Sequence, residues 1–236
     1  MKPPPNAAAA NTSFEFAALA EAVNYRHALL REFAPHLRGD VLEVGAGIGQ
    51  FTELLAGVPG VQRVHAVEPE TELARRFRER LPEVPLTAGT IADFGTQAVD
   101  GIVTVNVLEH IEDDAEELQR YAARLRERRG RLCLFVPARP EIYAPIDRDF
   151  GHFRRYTRAE LAGKLRAAGF SVTRLDYFNA LGYVAWWASF CLLRRRSFDV
   201  ASVRFYDRVL FPPVHFLESR VCRPPLGQSL IAVAQA

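Results

Sequence analysis

Glu43, Gly45, Gly47 and Gly49 alternate in the run Glu43-Val-Gly45-Ala46-Gly47-Ile-Gly49, which stands between a short apolar stretch and a helical pattern. Glycines at such a turn let backbone N–H groups approach a ligand closely, and the N-terminus of the following helix favours negative charge. Counting from Gly45, the third glycine of a G-x-G-x-x-G dinucleotide fingerprint falls on Gln50, so the match to a pyrophosphate-bearing ligand is broken. An acid two places ahead of G-x-G-x-G suits a ligand with a positive end. Glu68 closes the second apolar run, where a carboxylate can accept hydrogen bonds from the vicinal hydroxyls of a ribose. Its plainer reading is a helix-start charge, with Glu70, beside Pro69.

Histidine is the side chain best tuned to move protons near neutral pH, and two stand close to these features. His110, in Leu108-Glu-His-Ile111, either takes a proton or pins its loop by hydrogen bonds. His152 sits in a loop crowded with Arg148, Arg154, Arg155 and Tyr156, with Asp147 and Asp149 nearby. Arg154 and Arg155 are suited to clamp an anion through paired hydrogen bonds, or else to form an ion-pair knot with Asp147 and Asp149. The cysteines Cys133, Cys191 and Cys222 are odd in number and widely spaced, so neither a disulfide framework nor a structural zinc site is expected, and no metal is assigned.

These residues need a scaffold, and the apolar pattern supplies one. Short apolar runs at Val41–Val44, Arg63–Val67, Val84–Ala88, Asp100–Val105 and Arg131–Val136 alternate with helical spacing at Phe51–Ala56, Thr71–Leu81 and Asp113–Glu127. That alternation predicts a doubly wound, mostly parallel α/β sheet with helices on both faces. After Pro137 the rhythm changes to a polar, aromatic loop, then a helix from about Thr157, whose side chain and Glu160 form a capping pattern. Further strands are expected at Phe170–Phe178 and Ser229–Val233, making seven in all.

The 236 residues are 49% hydrophobic and 25% charged, with a net charge of +2. This is an ordinary globular composition, too near charge balance to draw the whole molecule onto nucleic acid. Met1 to Asn11 lacks the apolar core of a secretory signal, so a disordered leader over 1–12 and a reducing, cytoplasmic home are expected. Helices over 13–38 use Phe14, Ala17, Ala18, Val23, Leu29, Leu30 and Phe33 to cap the site. Tyr177 to Leu193 is uncharged for 17 residues and carries Trp186 and Trp187. Interrupted by Asn179, Gly182 and Ser189, it reads as a buried or interfacial helix rather than a membrane span.

Three stretches, Val41-Leu-Glu-Val-Gly-Ala-Gly-Ile-Gly49, Val67-Glu-Pro69 and Asn106-Val-Leu-Glu-His110-Ile-Glu-Asp, in that order across about Arg38 to Pro137, resemble the class I S-adenosylmethionine-dependent methyltransferases. The resemblance implies S-adenosyl-L-methionine as cofactor and S-adenosyl-L-homocysteine as its product. It implies that Glu43 and the loop Gly45, Ala46, Gly47 and Gly49 hold the methionine end, and that Glu68, with Pro69, meets the ribose. Ile91 is then an apolar wall for the adenine, and Asp93 either a cofactor contact or a turn cap. Asn106 and Val107 would line the sulfonium end. Tyr25 is similar to an N-terminal aromatic that closes over the cofactor in relatives, although a core tyrosine fits as well.

Gly151-His-Phe-Arg-Arg-Tyr-Thr157 and Ala168-Gly-Phe170 resemble bacterial methyltransferases of small-molecule, cell-surface carbohydrate and lipid pathways. By their chemistry and place in the chain, His152 and His110 are the candidate bases, and Arg154, Arg155, Tyr156 and Tyr25 the candidate acceptor contacts, for methyl transfer to O or N of a small molecule. The expected organisation is a cofactor domain over 39–178 plus 229–236. The aromatic, partly basic insertion over 179–228 serves as an acceptor lid, a membrane-facing surface or a homodimer surface. Two other classes stay open: an NAD or nucleotide-sugar enzyme, and a cofactor-binding subunit without turnover. Nucleic-acid substrates are not expected, since no Asn/Asp-Pro-Pro-Tyr motif follows the fourth strand.

Overall fold

The computed structural model describes residues 20–221 and 223–236. The expected leader over 1–12, the apolar residues Phe14, Ala17 and Ala18, and Cys222 lie outside the described residues.

Seven strands form one sheet: β1 (Gly39–Val44), β2 (Val61–Glu68), β3 (Leu86–Ala88), β4 (Gly101–Val105), β5 (Arg131–Pro137), β6 (Ser171–Phe178) and β7 (Ser229–Gln235), in the order β3-β2-β1-β4-β5-β7-β6. All neighbouring pairs are parallel except those of β7, which runs antiparallel between β5 and β6. The mostly parallel, doubly wound sheet is thus the observed fold. The order reverses between β1 and β4, and open α/β sheets bind ligands beyond the strand carboxyl ends at such a point.

The helices are α1 (Val23–Phe33), α2 (Gln50–Ala56), α3 (Thr71–Arg80), α4 (Asp114–Arg126), the single turn α5 (Pro145–Asp149), α6 (Arg158–Ala167), α7 (Ala180–Trp186), α8 (Val200–Phe205) and α9 (Phe211–Arg220). Two main apolar clusters sandwich the sheet. Leu42, Ile102, Leu132 and Leu134 point to the face of α4 and α6, whereas Val41, Val103, Cys133 and Phe135 point to the face of α1 and α2. Successive side chains along a strand alternate faces, so central strands with helices on both sides read as unbroken apolar runs. Thr157 accepts a hydrogen bond from the Glu160 N–H, as the capping pattern predicted.

The uncharged run ends β6 and continues through α7 into a π-helical turn over Trp187–Leu192. Among the described residues no helix is long and apolar enough to cross a membrane. Trp186 and Phe190 pack with Ile142, Ala144 and Ile146 of the loop that follows β5, and the Trp186 indole donates to the Ile142 carbonyl at 3.1 Å. Farther on, the Asp207 carboxylate accepts from the backbone N–H groups of Asn24 and Tyr25 at 2.9 and 2.8 Å. A carboxylate there satisfies two of the four N–H groups that a helix start leaves open. The insertion therefore anchors both α1 and the loop after β5.

Candidate active site

β1, β2 and β4 end on a single cavity of about 1350 Å³, roofed by α1 and by the loop after β5. The chain leaves β1 through Gly45, whose φ of +75° is left-handed; a Cβ there would come within 2.3 Å of the Val107 side chain. Only glycine fits both the conformation and the space. Ala46 and Gly47 continue along the cavity wall. Gly49, also left-handed, opens α2 without lining the cavity, because a Cβ on it would meet Leu81 and Phe77 of the α3 region instead. The expectation that Gly49 touches the cofactor is corrected: its place is to let α2 pack against α3.

Glu43 and Glu68 are both buried yet both line the cavity. Burial pushes the Glu43 carboxyl up to about 8, against the opposing hydrogen bond that it accepts from the Thr52 hydroxyl. Glu68 is also raised by burial, and it accepts from the Gly47 N–H at 2.8 Å and the Glu70 N–H at 2.9 Å. Ionising two desolvated carboxyl groups beside a cavity is costly unless a cation or a set of donors enters it. Ile91, fully buried, and Thr90 line the wall beyond Glu68. Asp93 does not: it accepts from the Thr90 N–H and hydroxyl at 2.8 and 3.0 Å, so its cofactor assignment gives way to the turn-cap reading. Asn106, with φ of +53°, and Val107 complete this side beside Pro69.

His152 lines the same cavity. Its Nδ1 lies 3.0 Å from Asp147 Oδ1, and Asp147 is fully buried in a further ion pair with Arg155 at 2.8 Å. Burial alone would raise the Asp147 carboxyl, but the hydrogen bond from His152 and the Arg155 charge hold it below the usual carboxylate range. An ionised Asp147 can only accept, so Nδ1 of His152 donates to it and Nε2 is the ring nitrogen turned away from Asp147. His110 packs edge-on to His152 with ring centroids 4.6 Å apart, and desolvation, then the His152 charge, push it down to about 4. Both rings line the cavity.

The arginine clamp does not form. Arg155 is buried with its guanidinium 4.3 Å over the Trp186 ring. Arg154 pairs with Asp114 at 2.8 Å and donates to the Glu112 carbonyl, and the buried Tyr156 hydroxyl donates to Asp114 at 2.9 Å. None of the three lines the cavity, so their acceptor-contact assignment is corrected to the ion-pair knot. That knot joins Arg155 to Asp147 but takes in Asp114 rather than Asp149. Tyr25 does line the cavity, and it also packs against Phe178 and Phe211 at centroid distances of 5.2 and 5.0 Å. Tyr25 is thus packed as a core tyrosine at the edge of the cavity. Tyr143, Arg148, Phe153, Arg26 and Arg120 also line the wall without having been assigned. The loop signal around His152 pointed towards the first three; nothing local marks Arg26 or Arg120, which come from distant helices.

Residues 16–175 match the family described as a methyltransferase domain. The chain belongs to that methyltransferase family. Solved structures extend the likeness to the whole fold. A chain of the complex between the Haloferax volcanii Trm112 methyltransferase activator and a methyltransferase superposes with a TM-score of 0.64 at 17% identity, covering 96% of each chain. An S-adenosylmethionine-dependent methyltransferase of Mesorhizobium loti gives 0.59 at 14% identity over 88% of this chain and 95% of that one. One from Archaeoglobus fulgidus gives 0.56 at 17%, over 91% and 93%. No curated protein sequence matches the chain. The cofactor of this methyltransferase is S-adenosyl-L-methionine, and the cavity fits it. Buried Glu43 and Glu68 complement an ammonium and a diol, and the turn Gly45-Ala46-Gly47 brings backbone and small residues to the cavity wall.

Proposed function

We propose that this methyltransferase transfers the methyl group to an O or N atom of a small molecule that enters between the glycine turn and His152. The observation that carries the reading is that His152, held by Asp147, lines the same cavity as Glu43 and Glu68. Bound S-adenosyl-L-methionine supplies an electrophilic methyl carbon. Glu43 and the Gly45–Gly47 turn hold its amino-acid end, Glu68 takes the ribose hydroxyls, and Ile91 packs on the base. Asn106 and Val107, at the end of β4, set the distance to the acceptor. Alignment of the reacting atoms supplies most of the barrier reduction in such a displacement. His152, fixed by Asp147, directs its Nε2 lone pair at the acceptor's hydroxyl or ammonium and thereby activates it.

The insertion supports a carbohydrate- or lipid-linked acceptor. It exposes Trp187, Leu192, Leu193, Phe205 and Phe216 beside Arg194 and Arg195, a surface that suits a membrane face or a second copy of the chain. Incubation with methyl-labelled cofactor and fractionated small-molecule and lipid extracts tests the reading. Label is expected in a non-protein fraction with wild type and to be lost with His152→Ala, whose binding of S-adenosylhomocysteine stays intact. Label retained at the wild-type rate in that variant removes His152 from the reaction.

A further inference from the structure

Glu109, His110 and His152 each offer one ligand atom, and the three atoms lie within 4.8 Å of one another. Glu109 and His110 sit on the single 3-10 turn after β4 (Leu108–His110), and His152 reaches them from the loop after β5. The Phe153 N–H donates to the Glu109 carbonyl at 2.8 Å and holds the two segments in register. We propose that Glu109, His110 and His152 form a three-ligand site for a divalent transition cation of the zinc class, with its open position facing the cofactor cavity.

Three features of the residues carry this. Two imidazoles and one carboxylate form a donor set that suits Zn²⁺, Co²⁺ or Mn²⁺, whereas Mg²⁺ and Ca²⁺ prefer oxygen alone. A ligating histidine needs a proton on its other nitrogen and a partner to hold it, commonly a carboxylate. Asp147 is that partner: at 3.0 Å from His152 Nδ1 it leaves Nε2 as the donor atom, and Arg155 and the Ala144 N–H anchor Asp147 in turn. Finally, His110 and His152 line the cavity, so a fourth position on the cation faces the space assigned to the acceptor. Ligand atoms around a tetrahedral Zn²⁺ stand about 3.4 Å apart, given bonds of about 2.0–2.1 Å, so closure asks for side-chain shifts of up to about an ångström.

The inference deepens the proposed function and rests on it for the place of the acceptor: with the cation bound, Nε2 of His152 would be a ligand and no longer the proton acceptor, and the cation's open position would take the acceptor oxygen or nitrogen and lower its pKa, so that its proton passes to solvent. The cation site is tested without turnover. Untagged full-length protein, stripped with chelator and dialysed, is titrated with ZnCl₂ by calorimetry and with CoCl₂ by visible absorption. One equivalent of Zn²⁺ and the visible bands of four-coordinate Co²⁺ are expected. His110→Ala and His152→Ala should each weaken Zn²⁺ binding at least tenfold, and Asp147→Asn by about ten- to a hundredfold through loss of the outer carboxylate. Glu109→Gln is read only if its circular dichroism matches wild type, and the two histidine variants keep the test decisive without it. No stoichiometric uptake, or equal affinity in wild type and both histidine variants, overturns the site. S-adenosylhomocysteine is titrated into the same stripped sample: its binding there with no Zn²⁺ uptake overturns the cation site and leaves the methyltransferase reading standing.

Discussion

The cofactor wall of the cavity is made of three short strand ends, whereas another stretch of its lining is one long loop held by buried ions. On the first, Glu43, Glu68 and Asn106 sit within one residue of the ends of β1, β2 and β4, and the sheet places them together. On the second, His152 depends on Asp147, Asp147 on Arg155, and Arg155 on the ring of Trp186, which belongs to the insertion. A site built on strand ends is positioned by backbone hydrogen bonds. A site built on a loop needs a chain of side chains, each buried and each paired, and so draws on residues far away in sequence.

That contrast predicts that damage to the cofactor wall acts on binding and damage to the loop wall on turnover. The largest effect is expected from Gly47→Arg, which places a long side chain at a left-handed residue on the cavity wall. S-adenosylhomocysteine affinity measured by calorimetry should fall by about a thousandfold or more, since both the strain and the blocked space oppose the ligand. Affinity within tenfold of wild type would remove the turn from the site. Next comes His152→Ala, for which turnover should drop by about 10²–10⁴ while cofactor affinity changes less than twofold. Equal losses in both quantities would show that the two walls are not separate.

A smaller effect sharpens the electrostatics of the cofactor wall. With its carboxyl pushed up to about 8 by burial, Glu43 is protonated in the ligand-free protein below that pH. Pairing with the ligand's ammonium requires the carboxylate, so binding releases a proton below pH 8. Affinity should weaken as pH falls from 8 to 6, by up to about tenfold per unit. Glu43→Gln should bind less tightly and lose that slope; a wild-type profile that is flat over this range contradicts the pairing. The smallest effect is expected from Asp93→Ala. Because its carboxylate caps Thr90 outside the cavity, cofactor affinity should stay within about twofold of wild type, and a tenfold loss would return Asp93 to the site.

Much of the cofactor wall was legible because its signals are local. Glu43, Gly45, Gly47, Glu68 and Ile91 each stand at a strand end that apolar runs and turn residues mark out, and all five line the cavity. Gly49 and Asp93 were misplaced for a physical reason: a left-handed glycine and a loop aspartate serve packing and turn capping as readily as ligand contact, and the backbone around them decides which. Arg154, Arg155 and Tyr156 were drawn to the acceptor by their chemistry. Asp114 and Asp147 hold them instead, the first 42 residues of chain from Tyr156 and the second buried in an ion pair with Arg155.

The amino-acid sequence by itself determined the alternation that builds the sheet, the turn after β1 and the acidic residue that ends β2, because hydrophobic period and glycine placement act over a few residues. Which carboxylate each arginine meets, which ring nitrogen of His152 faces Asp147, and that Glu109, His110 and His152 converge were decided only by the tertiary structure. Those pairings depend on the closure of long loops onto a finished core. Burial then makes each buried charge take whatever partner the fold brings within reach, and no spacing along the chain encodes that distance.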